Sequence, residues 1–294
     1  MKEEEINRIQ NEMNTRSIPD FDNLSPMDMH ELLYNPFSEN SIIQYKKNIS
    51  DALLDKIGFL QLVEYLLQEL SEKGEIKLTK WNNLNTKLVT EIYRLNFPKE
   101  VVFQLRERKV YKQDELLSLQ NAIIILNDIL KFTKKRKGKM SLTKKGSDFI
   151  AKESRLKLLQ SIFEAYAFNL NWSYHDGYED TGQIQKTFGY ILYLILQYGH
   201  EERVASFYAN KLHRAFPQLT EVFTSAWLTP LGLMKSCMST RCFQRFFNWF
   251  HFIEVQKDYL TSTPDNTLLK NHLISDILEL DKTKFKFKKE KFSA

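Results

Sequence analysis

The sequence predicts a mainly α-helical protein, in which winged-helix-like units pack with a helical bundle. Three observations lead to this prediction. Only 9 glycines and 7 prolines occur in 294 residues, so tight turns are scarce and long helices with short connections are favoured. Long stretches place apolar residues at helical spacing. Short basic segments centred on glycine interrupt these stretches and run into Leu-Thr.

The N-terminal part of the chain begins with a polar segment. Residues 1–24 show no hydrophobic period, which predicts a flexible polar arm. Ser25-Pro26 then combines an N-cap with a proline at the first helical position, and Asn35-Pro36 ends the helix that starts there. Residues 45–72 carry apolar side chains at successive helical turns and predict one long helix.

An internal repeat suggests how the first half is built. The segment KGEIKLTK at residues 73–80 recurs as KGKMSLTK at residues 137–144, and an apolar helical stretch precedes each copy. Helix, glycine turn, short strand and Leu-Thr therefore occur twice in the same order, which predicts two winged-helix-like units. A weaker copy without the glycine, at residues 243–261, leaves open a third such unit near the C-terminus.

The second half reads as helical. Residues 155–169 and 201–216 are amphipathic, and residues 183–198 are strongly apolar, which predicts a buried helix. We therefore expect a polar arm at 1–24, a helical domain with two winged-helix-like units at 25–154, a second helical domain at 155–280 and a basic tail at 281–294. The tail alternates Lys and Phe, as a frayed end or a basic edge strand does.

Composition narrows the class of protein. The net charge of +5 is mildly basic and does not by itself indicate nucleic-acid binding. The N-terminus lacks the apolar core of a signal peptide, and no apolar run reaches the ~20 residues that span a bilayer. Two cysteines cannot form a disulfide framework. The expectation is a cytoplasmic protein with no membrane partner.

The strongest candidate site is the basic wing, residues 131–145, which contains no acidic residue. A hairpin tip of this charge density could lie over phosphates and gain affinity by releasing counterions. The alternative is a solvated turn whose lysines prevent edge-to-edge aggregation. The preceding helix, LQNAIIILNDIL, has no Arg or Lys for reading base edges, so contact with DNA should be mostly to the backbone. The candidate phosphate contacts are Lys134, Lys135, Arg136, Lys137, Lys139, Lys144 and Lys145.

Two further clusters have weaker functional content. The loop WSYHDGYED places His175, Asp176, Glu179 and Asp180 around a glycine, as a metal or acid–base site could, but a polar capping loop explains it more simply. The helix around Arg241 and Arg245 carries aromatic residues on nearly every face, which indicates a core helix with both arginines on its exposed side. No complete catalytic, nucleotide or metal motif occurs, so we expect no cofactor, no metal and no enzyme activity.

Two segments resemble a helical region of uncharacterised bacterial proteins, some of plasmid origin, that often carry a SEC-C metal-binding tail. These segments are LTKWNNLNTKLVTEIY and LNDILKFTKKRKGKMSLTKKG, which keeps the Leu142-Thr143 and Gly146 of that pattern. The resemblance extends loosely over residues 25–260 and implies architecture without an established activity. A SEC-C tail needs a Cys-x-Cys cluster that this chain lacks, so no metal is implied.

Taken together, these features predict a non-enzymatic cytoplasmic protein that binds a macromolecular partner, with DNA at the basic wing as the sharpest version. The alternative is a protein–protein scaffold that uses winged-helix units only for packing. A distant alternative is an enzyme or metal site at the His175-Asp176 loop.

Overall fold

A computed structural model describes residues 3–95, 110–174, 176–178, 182–256 and 263–286. Helices dominate these residues and the sheets contain only two or three strands, so the mainly α prediction is confirmed. The α-helices are α1 (Glu3–Thr15), α2 (Pro26–Tyr34), α3 (Asp51–Leu54), α4 (Gly58–Lys73), α5 (Thr86–Tyr93), α6 (Leu117–Ile124), α7 (Lys144–Lys152), α8 (Arg155–Glu164), α9 (Gln183–Lys186), α10 (Phe188–Tyr198), α11 (Ala205–Ala215), α12 (Pro230–Met238) and α13 (Ile274–Ile277). The strands are β1 (Ile43–Tyr45), β2 (Glu75–Lys77), β3 (Thr133–Arg136), β4 (Lys139–Leu142), β5 (Arg203–Val204), β6 (Ile253–Gln256), β7 (Leu268–Asn271) and β8 (Leu278–Leu280).

Within the described residues, three helices continue into π-helical turns. These are α6 through Ile125–Ile129, α8 through Ala165–Asn169 and α12 through Ser239–Phe247. Short 3₁₀ turns lie at Pro19–Phe21, Gln113–Glu115, Pro217–Val222 and Lys282–Lys284. Among the described residues, no helix is long and apolar enough to cross a membrane.

The chain divides into two compact units. Unit 1 comprises Met1–Lys47, Ser173–Phe243 and Glu254–Ala294, and unit 2 comprises Asn48–Trp172 and Gln244–Ile253. Unit 1 thus gathers segments from both ends of the chain. This division differs from the contiguous domains at 25–154 and 155–280 that the sequence suggests. The reason is that strand β1, near the start of the chain, pairs with β8, near its end, and composition does not reveal such long-range pairing.

Unit 1 contains the first helix that the sequence predicts, and its cap is confirmed. Ser25 and Asp28 form a capping box at the start of α2, Pro26 occupies the first helical position, and Asn35 ends the helix. Within the predicted arm, residues 3–15 form α1, which buries none of its side chains. The flexibility of that arm stays a prediction.

The core of unit 1 is built around α10, which is buried along most of its length, as its apolar sequence predicts. It packs against α2 and α11. A Cβ atom on Gly189 would lie 1.8 Å from the carbonyl oxygen of Leu32, so only glycine permits this approach of α10 to α2. Strands β1 and β8 pair antiparallel in the same unit, with Ile43 opposite Leu280.

The predicted long helix at residues 45–72 is wrong in its first half. Tyr45 belongs to β1, Ser50 caps the short helix α3, and the long helix α4 starts only at Gly58. The apolar spacing is real, but the Ser50 cap and the pairing of β1 with β8 interrupt the helix. From Gly58 to Lys73 the prediction holds.

In unit 2, the two copies of the repeat form one sheet and not two separate units. Strand β2 from the first copy pairs antiparallel with β4 from the second, with Ile76 opposite Met140, and the strand order is β2-β4-β3. Among the described residues of unit 2, the first copy has no second strand of its own, so the prediction of two units in the first half is corrected to a single three-stranded sheet. Helix α4 packs against β2 and β4 on one face of this sheet.

The third, glycine-free copy also runs from a helix into a strand. The π-helical end of α12 precedes β6, which belongs to a sheet of order β5-β7-β6. The residues after Gln256 in that copy lie outside the described residues. A third winged-helix-like unit therefore stays a prediction.

Candidate functional site

The basic wing is a hairpin with a two-residue tip. Strands β3 and β4 pair from Thr133 opposite Leu142 to Arg136 opposite Lys139. Lys137 and Gly138 connect them with φ of 50° and 70°. Two positive φ angles are the signature of the tight turn that matches the twist of a hairpin, and glycine suits the second position. The hairpin that the sequence predicts is therefore present, with a lysine at its tip.

The outward side of the sheet carries cations from all three strands. Lys77 of β2 lies opposite Lys139 of β4, and Lys139 lies opposite Arg136 of β3. All three are exposed, whereas Ile76 and Met140 are buried beneath the sheet. Because successive side chains in a strand point to opposite faces, the three cations share one face. Lys134 lies on the same face, in the next row of paired residues. We call this surface, together with the hairpin tip, the basic face; it comprises Lys77, Lys134, Arg136, Lys137 and Lys139.

The ion pairing of the basic face is uneven. Lys139 forms an ion pair with Glu75, which lies on the same face of β2. Within the part of the chain that the structure describes, Lys77, Lys134, Arg136 and Lys137 have no ion-pair partner. One carboxylate thus offsets part of the charge, and the remaining cations face solvent.

Lys135 lies on the opposite side of the hairpin from the basic face. Its position pairs with the buried Met140, and its ammonium donates a hydrogen bond of 2.9 Å to the carbonyl oxygen of Asn82. Burial lowers the pKa of the Lys135 ammonium. The structure therefore gives Lys135 a local structural contact, which ties β3 to the turn that follows β2.

Lys144 and Lys145 begin α7 and are exposed. Thr143 caps this helix by accepting a 3.0 Å hydrogen bond from the amide of Gly146. The Lys145 ammonium lies 5.5 Å from the centroid of the Phe132 ring. A Cβ atom on Gly146 would lie 2.1 Å from the carbonyl oxygen of Phe132, so the Leu-Thr-x-x-Gly pattern has a structural cause.

The helix before the wing offers little surface for reading bases. Most residues of α6 are buried, including Asn121, whose amide donates a 3.2 Å hydrogen bond to the hydroxyl of Tyr166. In the π-helical turn that follows, Asp128 is exposed and adds a negative charge. The burial of α6 and the negative charge of Asp128 both disfavour contact with base edges. The lack of Arg and Lys in this helix points the same way.

The second candidate cluster is only partly described. His175, Glu179 and Asp180 lie outside the described residues. The side chain of Asp176 is fully buried in an ion pair with Arg241, whose Nη2 atom lies 3.3 Å from Oδ1 of the carboxylate. Among the described residues, no group of His, Cys, Asp and Glu could hold a metal ion. Asp176 thus has a charge partner that holds the loop to α12 and its continuation.

The aromatic helix is a core element, as the simpler interpretation predicts. Phe246 and Phe250 contact Phe163 and Tyr166 in unit 2, with ring centroids 4.4–5.9 Å apart. The predicted exposure of Arg241 and Arg245 is wrong, because both are buried, and for Arg241 the reason is its pairing with Asp176. Cys237 and Cys242 are also buried, and burial raises the pKa of the Cys242 thiol.

Sequence reasoning missed Lys77 as a site residue. The sequence shows the repeat copy that contains Lys77, but the expectation of two separate units assigns that copy to a different hairpin. The matching pattern of the two copies could have identified Lys77 as a site residue. Each copy has a short strand with alternating exposed and buried positions. Two such strands can pair with each other as readily as each can form its own hairpin.

One comparison with known proteins concerns this part of the chain. Residues 58–155, which include the whole β2-β4-β3 sheet, match the family model described as the Y4jL N-terminal domain. Neither a curated protein nor a solved structure matches the chain. The sheet that carries the basic face is therefore similar to part of an uncharacterised bacterial family, whose model spans residues 58–155 of this chain.

Proposed function

We propose that this chain is a non-enzymatic cytoplasmic protein that binds DNA through phosphate contacts at the basic face. The observation that carries the proposal is the row of Lys77, Lys139 and Arg136 across three adjacent strands, on the side of the sheet away from its buried face. If the lysines served only to prevent edge-to-edge aggregation, cations would be needed only at the tip and on the edge strands. Here the central strand carries a cation as well.

The spacing of the cations suits a chain of phosphates. Adjacent strands lie ~4.8 Å apart, so the three charges of the row span roughly 10 Å and their long side chains can reach further. Each neutralised phosphate releases counterions and contributes about −0.9 to the slope of log Kobs against log salt concentration. With five cations and one opposing carboxylate, we expect a slope of about −3 to −5 for duplex DNA.

The order of elements supports a winged-helix interpretation of this region. Helix α4, strand β2, helices α5 and α6, and strands β3 and β4 follow one another, with β4 between β2 and β3. In this interpretation α6 holds the place of the reading helix, and its burial leaves the wing as the contact. The resemblance to partly plasmid-borne bacterial proteins adds a regulatory or plasmid-associated role to the proposal.

The test is duplex-DNA binding over a salt series. The variant Lys134→Gln, Arg136→Gln, Lys137→Asn, Lys139→Gln should lose most affinity at low salt and flatten the slope by about 3 to 4. A control variant removes the same number of exposed cations elsewhere, by changing Lys56, Lys157, Lys186 and Lys270 to Gln. We expect the control to keep nearly the wild-type slope. Equal losses in both variants would mean that overall charge, and not the basic face, drives binding.

A protein-scaffold function is the second candidate, and one feature of unit 2 favours it. A groove of about 450 Å³ between α4 and the segment from α7 to α8 includes Leu67, Phe149, Ile150 and Leu158. Ile150 is 40% exposed there. If the wild-type protein does not bind duplex DNA even near 50 mM salt, where phosphate contacts are strong, this alternative replaces the DNA proposal.

A further inference from the structure

A fixed turn lies beside the hairpin tip. The amide of Leu78 donates a 2.8 Å hydrogen bond to the carbonyl oxygen of Gly138, so the residues that follow β2 leave the sheet next to that tip. Thr79 and Asn83 then close the turn twice, through a 2.8 Å backbone hydrogen bond and a 3.2 Å bond from the Asn83 amide to the Thr79 hydroxyl. The direction of this turn is therefore set by hydrogen bonds on both sides.

Two side chains from elsewhere in unit 2 hold the same turn. Lys135 donates its hydrogen bond to the Asn82 carbonyl, as described above. Gln113 donates 3.3 Å to the side-chain oxygen of Asn83 and accepts 2.8 Å from the amide of Leu84. Asn82 has φ of 58°, a conformation that asparagine tolerates better than most residues. These contacts leave the backbone of the turn little freedom.

This well-held turn presents a tryptophan to solvent. Trp81 is 75% exposed. The Lys80 ammonium lies 5.2 Å from the centroid of its ring. A concave surface of about 510 Å³ adjoins the ring, and it is lined by Thr79, Asn83, Leu84, Thr86, Lys112, Gln113 and one acidic residue, Asp114. An exposed tryptophan costs solvation free energy, and a fixed turn that keeps it exposed beside cations points to a ligand with a flat aromatic surface and negative charge.

We propose that Trp81 is a stacking platform for an unpaired base of the nucleic acid whose phosphates the basic face binds. The inference rests on the proposed function and names its preferred ligand: a strand with unpaired bases. Single-strand binding sites combine a cationic surface that follows the backbone with aromatic rings on which bases stack. The basic face supplies the first part, and Trp81 with Lys80 supplies the second. Because Lys135 holds this turn from the side of the hairpin opposite the basic face, the nucleic-acid strand has to pass round the hairpin tip to reach both. A blunt duplex hides its base faces within the stack, so it can use only the phosphate contacts.

The experiment uses the full-length protein with Trp227→Phe, because Trp227 is the other strongly exposed tryptophan and Trp172 and Trp249 are buried. In this background, the accessible indole fluorescence reports on Trp81. The probes are a mixed-sequence single-stranded DNA oligonucleotide, the same strand in a blunt duplex, and that duplex with a single-stranded overhang. The overhang and the single strand should quench the fluorescence, and the blunt duplex should bind with little quenching.

Affinities of two Trp81 variants complete the test. Trp81→Ala should weaken single-strand binding about 5- to 150-fold, the range for losing one stacked base, and should leave blunt-duplex binding within about twofold. Trp81→Phe should restore part of the loss, whereas Trp227→Ala should change neither affinity. Blunt-duplex binding that depends on the basic face, with no quenching by unpaired bases and no loss in Trp81→Ala, would overturn this inference and leave the proposed function standing. No binding of any probe near 50 mM salt would overturn both, because the phosphate contacts would then also be absent.

Discussion

The two copies of the repeat share five of their eight residues, yet they occupy different places in the same sheet. In the first copy, α4 ends at Lys73. Gly74, with φ of 72°, then leads directly into β2. In the second copy, the helix ends before Lys131, the chain forms β3, and Gly138 lies at the hairpin tip. The repeated pattern therefore encodes a positive-φ glycine followed by a short strand. What precedes the glycine decides whether a helix end or a hairpin tip results.

The copies differ again after Leu-Thr. Thr143 caps α7, where its hydroxyl accepts a hydrogen bond from the amide of Gly146. Thr79 accepts one from the amide of Asn83, inside a turn that never becomes helical. The same threonine device thus starts a helix in one copy and closes a turn in the other.

The largest expected effect compares the close-packed glycine that follows the second copy with the positive-φ glycine of the first copy. Gly146→Ala should lower the free energy of unfolding by about 3 kcal/mol, because its Cβ would clash with the Phe132 backbone 2.1 Å away. Gly74→Ala should cost about 1–2 kcal/mol, because nothing lies within 4 Å of its Cβ and only the positive φ opposes the change. Denaturant unfolding of both variants measures the difference. A greater loss in Gly74→Ala would contradict the reasons assigned to these two glycines.

A smaller difference is expected at the threonines. Thr143→Ala removes a helix N-cap and should cost about 1 kcal/mol. Thr79→Ala removes a hydrogen bond in an exposed turn and should cost less, roughly 0.5 kcal/mol. Thermal unfolding of the two variants beside wild type compares them. The account requires the larger drop in Tm for Thr143→Ala.

At the hairpin tip, charge and backbone preference can be separated. Lys137→Asn places an Asn-Gly pair in a turn whose two φ angles are positive, so the fold should become no less stable. The same change removes one cation from the basic face and should reduce the salt slope of DNA binding by about 1. Unfolding and binding measured on one preparation give both values. An unchanged slope would remove Lys137 from the interface.

The smallest expected effect comes from the one carboxylate on the basic face. Glu75→Gln releases Lys139 from its ion pair and should strengthen DNA binding about two- to threefold at low salt. The gain should fade as salt rises, because exposed charges are screened. The free energy of unfolding should change by less than about 0.5 kcal/mol, since exposed ion pairs contribute little. Weaker binding in Glu75→Gln would contradict the assigned role of Lys139.

The sequence predicts the local elements well and their long-range pairing poorly. The Ser25 cap, the buried α10, the basic hairpin and the aromatic core helix follow from period, cap and turn signals that act over a few residues. The pairing of β1 with β8 and of β2 with β4 joins segments far apart in the chain, and short strands carry no sequence mark of their partner. The place of Lys77 in the basic face and the burial of Arg241 escape sequence reasoning for the same reason, since each depends on a distant segment.

The most direct test of the central claim compares three single lysines by the salt dependence of duplex-DNA binding. Lys77→Ala in the first copy and Lys139→Ala in the second should each reduce the slope of log Kobs against log salt, Lys77 by about 1 and Lys139 by somewhat less because Glu75 already pairs with it. Lys135→Ala, on the opposite side of the hairpin, should leave the slope unchanged while lowering stability. A slope that depends on Lys135 and not on Lys77 would contradict the single basic face formed by both copies.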